Sequence, residues 1–250
     1  MFGNKFIEKK VNDLSIKPVD FSCDVLIDGV ELPLLNKSFF TIIVGKPGSG
    51  KTTLLINMIT RKSFYKKKFD RIFIFGKIGS SDEIKLGKDK TNPFTKLPKN
   101  QRFDDLTHEN LEFFMREVSG SGNRVLLVLD DVQNQLKGEV QTLFRDIIYN
   151  RRHIPGGAGF ICILMTTQVW NNVPLSIRKM ADSIYFYRTS NETEIRSLST
   201  EFLSHFTNNE INEILQYCHK GKHDFMAVLT NKPKKESIYY NFNLLTKNEW

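Results

Sequence analysis

Cysteine is scarce in this 250-residue chain: Cys23, Cys162 and Cys218 form no CxxC pair, and any disulfide scheme leaves one over. A cystine-stapled scaffold is thereby excluded, and a reducing compartment is expected. Long apolar runs are missing too. No stretch approaches the ~20 residues that span a bilayer, and the opening MFGNKFIEKK lacks the apolar core of a signal peptide. A soluble chain outside the general secretory route is the expectation. Neither HExxH nor GxSxG occurs, and no Ser/His/Asp arrangement presents itself. Cys218, His219 and His223 lack a fourth ligand and a second spaced pair, so they read as surface residues and not as a zinc site. No internal repeat is present.

What the chain does have is a core and a positive charge. With 40% apolar residues it is large enough for one α/β domain or two small ones. Lysine and arginine exceed the acids by 8, which favours a polyanionic partner. The excess is concentrated: residues 61–103 carry 13 basic against four acidic side chains, a net +9, so the rest of the chain sums to −1. Such a segment reads either as a solvated lysine-rich insertion or as a contact surface for phosphate backbones, with Lys66, Lys67 and Lys68 as its densest run.

Strand and helix patterns alternate along the chain. Short apolar runs rich in β-branched and aromatic residues at 39–44 (FFTIIV), 71–75 (RIFIF), 124–129 (RVLLVL), 160–165 (FICILM) and 183–187 (SIYFY) read as buried strands. Between them, helical spacing marks 51–60, 106–118 (with Asp104, Asp105 and Thr107 as caps), a helix carrying Leu136, Val140, Leu143, Phe144, Ile147 and Ile148, and a short helix at 174–180. This alternation predicts an α/β fold, a mostly parallel sheet with helices on both faces. Residues 1–38 form a lead-in with a turn at Asp28-Gly29. Beyond Thr189 the expectation is a helix at 192–206, a second opened by a capping box at Thr207–Glu210 and stopped near Gly221, and a terminal hairpin from HDFMAVLT and SIYYNFN around Asn231-Lys232-Pro233. The chain thus divides into a lead-in, 1–38, and one domain, 39–250, with its motif core at 39–188 and an extension at 189–250.

The decisive segment is Gly45-Lys46-Pro47-Gly48-Ser49-Gly50-Lys51-Thr52, a full G-x-x-x-x-G-K-[ST] match between a predicted strand and a predicted helix, with Thr53 next along. Glycines let successive N–H groups curl around phosphate oxygens, and the helix N-terminus adds its dipole. In such a loop Lys51 bridges the β- and γ-phosphates of ATP and Thr52 ligates Mg²⁺. The run RVLLVLDD supplies Asp130 for the metal and Asp131 to orient water. Lys51 and Asp130 lie 79 positions apart with a further strand between them, which favours the additional-strand ATPases over nucleotide kinases and GTPases. Gln168, after the fourth strand, is a candidate sensor of the γ-phosphate, though it also reads as the start of a loop. Arg151, Arg152 and His153 read either as cations at a helix C-terminus or as the source of an arginine finger for a neighbouring subunit.

In order, GKPGSGKTT, VLLVLDD, NRRH, ILMTTQ and PLSIRKMADSIYFYR resemble the FtsK/HerA superfamily of P-loop translocases, and within it the poxvirus-type genome-packaging ATPases of large DNA viruses and virophages. The resemblance covers residues 39–188. It implies a three-layer P-loop fold and a homo-oligomeric ring, pentamer or hexamer, that threads double-stranded DNA and docks on a capsid or vertex protein. It also implies residence in the virion or a viral factory in host cytoplasm. By position it makes Lys51 and Thr52 the nucleotide and Mg²⁺ ligands, Asp130 the metal carboxylate, Asp131 the catalytic acid, Gln168 the sensor and Arg152 the finger, with Arg151 and Arg178 as alternatives. Cellular members usually carry Glu where Asp131 stands, and for the shorter acid the resemblance implies a slightly different water position. Outside this class, the residues also admit a helicase-like or kinase-like NTPase in replication, and a scaffold that binds ATP without turnover.

Overall fold

The computed structural model describes residues 25–81, 84 and 92–247. Cys23, Lys85, Lys88 and Lys90 lie outside the described residues. Nine strands form one sheet in the order β3-β2-β4-β5-β1-β6-β7-β8-β9. The strands are β1 (Phe40–Val44), β2 (Arg71–Phe75), β3 (Arg102–Phe103), β4 (Arg124–Asp130), β5 (Phe160–Thr167), β6 (Ser183–Tyr187), β7 (Phe225–Leu229), β8 (Ile238–Tyr240) and β9 (Asn243–Leu244). From β3 to β6 every pairing is parallel, and from β6 to β9 every pairing is antiparallel.

The central strands β1, β4 and β5 are nearly continuous apolar runs because both of their faces are covered. Alternate residues feed two cores. On one face Ile42, Phe73, Leu127 and Ile163 meet α2 (His108–Val118), α3 (Gly138–Asn150), α5 (Glu192–Phe202) and α6 (Asn208–Cys218). On the other, Ile43, Ile74, Leu126 and Leu164 meet α1 (Lys51–Thr60), and the remaining cover among the described residues comes from loops and short 3-10 turns such as those carrying Ile78 and Phe94. Ile27, Val30 and Leu34 of the lead-in and Tyr65 fill that face. Tyr65 donates to Leu35 O (3.0 Å) and Tyr185 to Pro33 O (3.2 Å). Residues 25–38 are therefore part of the packed body.

The expected elements recur with shifted ends. Of the three caps considered for α2, Thr107 caps it, accepting from Asn110 N. Leu136, read as the start of the long helix, is buried ahead of it, because the Gln133–Gln135 turn and Gly138 at φ +55° delay helix entry. The short helix contracts to α4 (Leu175–Arg178) and the 192–206 helix ends at Phe202. The capping box is present, with Thr207 and Glu210 bonded reciprocally, and α6 ends at Cys218, ahead of Gly221. The terminal hairpin is also present, and β7 pairs antiparallel with β6, so the extension prolongs the same sheet as the P-loop strand.

Candidate active site

The site gathers where parallel strands end. Register places Val44 beside Thr167 and Asp130 beside Thr166, so the segments leaving β1, β4 and β5 emerge side by side. The 45–50 loop joins β1 directly to α1. Gly45 lies against the Tyr187 side chain, where an added Cβ would stand 2.8 Å from Tyr187 Cβ, and Gly50 takes φ +110°, open only to glycine without strain. Helix α1 has no side-chain cap and no acid in its first turn, so its leading N–H groups are left for an anion. The Ser49 hydroxyl is buried there with no hydrogen-bond partner. Lys51 is 6% exposed and its ammonium reaches Lys46 O at 3.5 Å. Burial pulls its pKa below the usual lysine value, opposed by the charges of Asp131 and Asp130. An uncapped helix start, an orphaned hydroxyl and a desolvated cation together fit a polyphosphate.

Asp130 and Asp131 diverge sharply despite adjacency. Asp130 ends β4, half-buried, with Oδ1 accepting from the Thr166 hydroxyl at 2.7 Å. Burial raises its pKa, the neighbouring Asp131 charge adds to the rise, and the Thr166 bond and Lys51 oppose it. Its Oδ2 and the Thr52 hydroxyl make no hydrogen bond among the described residues, so both oxygens are available to a hard divalent cation. Asp131 turns out of the strand at φ +54°, a left-handed conformation that aspartate tolerates better than most residues. Its exposed Oδ2 accepts from Gln168 Nε2 at 3.0 Å. The pair proposed to orient water and to sense phosphate is thus in direct contact, on the β4–β5 side of the P-loop.

The three candidate arginines differ in setting. Arg178 is buried, its guanidinium paired with Glu201 (Nε–Oε2 3.0 Å, Nη2–Oε1 2.5 Å), donating to Val173 O and lying over the Trp170 ring. Arg151 is paired with Asp182 at 2.9 Å, and the same carboxylate oxygen accepts from Phe40 N. Arg152 is exposed beyond the C-terminus of α3. It lies at the strand edge opposite the P-loop, since α3 begins at the β4 exit and returns to the β5 entry. Arg178 and Arg151 hold the fold, and Arg152 is the most exposed of the three.

The described part of the basic segment does not form one surface, because β2 threads it through the sheet. Lys66 and Lys67 are exposed at the strand-entry edge, Lys68 donates to Asp28 O at 2.6 Å, and Arg71 pairs with Glu117 at 2.7 Å. Lys77 follows β2 at the opposite edge. Of the discounted zinc residues, Cys218 is buried, His219 bonds Phe186 O and His223 bonds Ser49 O. No cluster of three metal-ligating side chains occurs among the described residues.

Two contributors escaped sequence reasoning. Gly76, at φ +119°, brings the end of β2 so close to β4 that an added Cβ would lie 2.3 Å from Asp130 O. A glycine directly after RIFIF was the available signal. Thr166 is the other, and nothing in the sequence announces its bond to Asp130.

Residues 28–167, more than half of the chain, match the NB-ARC domain family. The chain belongs to that family. It is a P-loop ATPase in sequence family and in fold. The NB-ARC match takes in the P-loop and both aspartates and stops at the last residue of β5, one short of Gln168. Solved structures match further. The genome packaging NTPase B204 from Sulfolobus turreted icosahedral virus 2 aligns at TM-score 0.57 with sulfate (16% identity, 85% of this chain, 100% of that one) and 0.55 with ATP-gammaS (13%, 83% and 98%). The pCW3 conjugation coupling protein TcpA aligns at 0.52 (12%, 85% of this chain, 62% of that one). At such identities the likeness is one of fold. No curated protein matches the sequence.

Proposed function

We propose that this NB-ARC ATPase is a motor that couples ATP hydrolysis to movement of double-stranded DNA, and that it packages a viral genome into a capsid. The observation that carries the reading is the contact of Gln168 with Asp131 beside the Asp130–Thr166 pair, facing a P-loop whose fold matches a genome packaging NTPase over nearly its whole length. A hydrolase needs this arrangement and a nucleotide-binding scaffold does not.

In this mechanism the N–H groups of Gly48 to Thr52, with Thr53 beyond, hold the phosphates of ATP, and the Lys51 ammonium stabilises charge that develops on the transferring group. Thr52 and Asp130 would hold Mg²⁺, which when bound neutralises the β- and γ-phosphate oxygens. Asp131 orients water and accepts its proton, and the Gln168 amide fixes that carboxylate while sensing loss of the γ-phosphate. Arg152 acts on the nucleotide of the neighbouring copy in a homo-oligomeric ring, pentamer or hexamer, so turnover requires assembly. The ring docks on a capsid or vertex protein and works in the virion or viral factory. Lys66, Lys67 and Lys68 contribute contacts to the DNA backbone.

A triplex-displacement assay tests the motor. ATP-driven release of a third strand from duplex DNA is expected from the wild-type chain and not from Lys51→Ala. Hydrolysis without displacement would remove translocation from the account.

A further inference from the structure

The P-loop explains where a triphosphate sits and leaves the other half of a nucleotide unplaced. Sheet order sets its direction. The carboxylates and Gln168 stand on the β4–β5 side of β1, so a nucleotide with its γ-phosphate toward them must run its nucleoside toward β6 and β7 on the other side. A cavity of about 550 Å³ opens from the phosphate site, where Gly48, Gly50, Lys51 and Thr52 line it, toward Thr53, Asn57, Tyr187, His223 and Phe225, a volume within the range typical of small-molecule sites.

Its walls on the β6–β7 side are unlike the phosphate end. Tyr187 ends β6 and Phe225 begins β7, both buried, with ring centroids 5.4 Å apart. The Tyr187 hydroxyl makes no hydrogen bond among the described residues, and it stands 3.5 Å from where a Cβ on Gly50 would be. Asn57 is one α-helical turn beyond Thr53. It donates its amide to Thr53 O at 2.7 Å, and its carbonyl oxygen has no partner among the described residues. His223 is exposed and bonds Ser49 O through Nδ1 at 3.0 Å, which ties the C-terminal extension to the P-loop. Its loop is fixed: Asp224 accepts from Gly221 N (2.7 Å), Tyr240 Oη (3.0 Å) and Asn241 Nδ2 (3.4 Å). A pinned ring beside an aromatic floor, with an unpaired acceptor and an unpaired hydroxyl, has the chemistry of a purine nucleoside site.

We propose that Tyr187, Phe225 and His223, with Asn57 on the rim, form the slot for the purine base and ribose, and that the His223 ring is the face on which the base stacks. The slot rests on the P-loop holding the triphosphate. It assigns a function to the extension beyond residue 189, whose sequence carries no recognisable motif.

Isothermal titration with ATP and with inorganic tripolyphosphate separates the two halves. The wild-type chain should bind ATP more tightly than tripolyphosphate. His223→Ala should weaken ATP about fivefold or more, as loss of a base–aromatic stack does, and leave tripolyphosphate unchanged; His223→Phe, which keeps a ring and loses the Ser49 bond, should restore ATP binding. Equal wild-type affinities, an unchanged ATP affinity in His223→Ala, or equal weakening of both ligands would overturn the slot, the last by showing that His223 only braces the P-loop. Wild-type binding of both ligands by Lys51→Ala would instead overturn the phosphate site, and the slot with it.

Discussion

Replacing Asp130 by asparagine should make the unliganded protein more stable while abolishing turnover. The carboxylate is largely withdrawn from water and stands next to a second acid, and burial is the largest cause of its raised pKa. An acid raised in the folded state gains stability from its protonated form below the ordinary carboxylate range. That stability is lost as pH rises through the raised value, so at neutral pH the ionised group is a net cost to folding. Asparagine keeps an oxygen that accepts from the Thr166 hydroxyl, now 2.7 Å from Oδ1, and carries no charge. The gain is on the order of 1 kcal/mol, the usual scale for relieving a functional site, or about 2–4 °C in Tm for a chain of this size. Calorimetric melts of both proteins without nucleotide, from acid to neutral pH, measure it. The variant's advantage should be absent at low pH, open as wild-type Asp130 ionises, and then hold constant. A variant less stable than wild type at neutral pH, or an advantage independent of pH, would refute the reasoning that the site is strained by a desolvated charge.

Gly76→Ala should destabilise by on the order of 3 kcal/mol in urea melts, since its Cβ would stand 2.3 Å from the Asp130 carbonyl oxygen at a φ closed to alanine; a near-neutral result would mean that β2 and β4 separate easily. Arg178→Ala should cost about 3–5 kcal/mol of stability, because it leaves Glu201 buried without its partner. Arg152→Ala should bind ATP and lose turnover; mixing in Asp131→Asn subunits, which keep Arg152, should rescue neighbouring sites, and no rescue in verified mixed rings would end its assignment as a finger. Charge reversal at Lys66, Lys67 and Lys68 should flatten the salt dependence of DNA binding, whose slope is about −0.9 per phosphate neutralised, and an unchanged slope would make the segment a solvated insertion.

The parallel core was legible because buried parallel strands are short apolar runs, and FFTIIV, RVLLVL and FICILM offer few alternatives between their turns. The P-loop was legible because its glycines and its place between strand and helix are local facts. Long-range partners were not. The hairpin pattern of 223–243 announces two strands, and nothing in it says that the first joins β6 or that His223 reaches Ser49, 174 positions away. Arg178 stands as an alternative finger by resemblance until Glu201 is seen beside it. The basic run at 61–103 reads as one patch because sequence does not display β2 running between Lys66 and Lys67 at one edge of the sheet and Lys77 at the other. Leu136 keeps helical spacing with Val140 although it precedes the helix, since periodicity records which residues face the core and not where the backbone begins to coil.

Steady-state ATP hydrolysis with and without double-stranded DNA tests the central claim most directly. The account predicts Mg²⁺-dependent turnover that rises when duplex DNA is added and vanishes in Lys51→Ala. Phosphorylation of a small-molecule acceptor, turnover indifferent to DNA, or nucleotide binding without hydrolysis would contradict it.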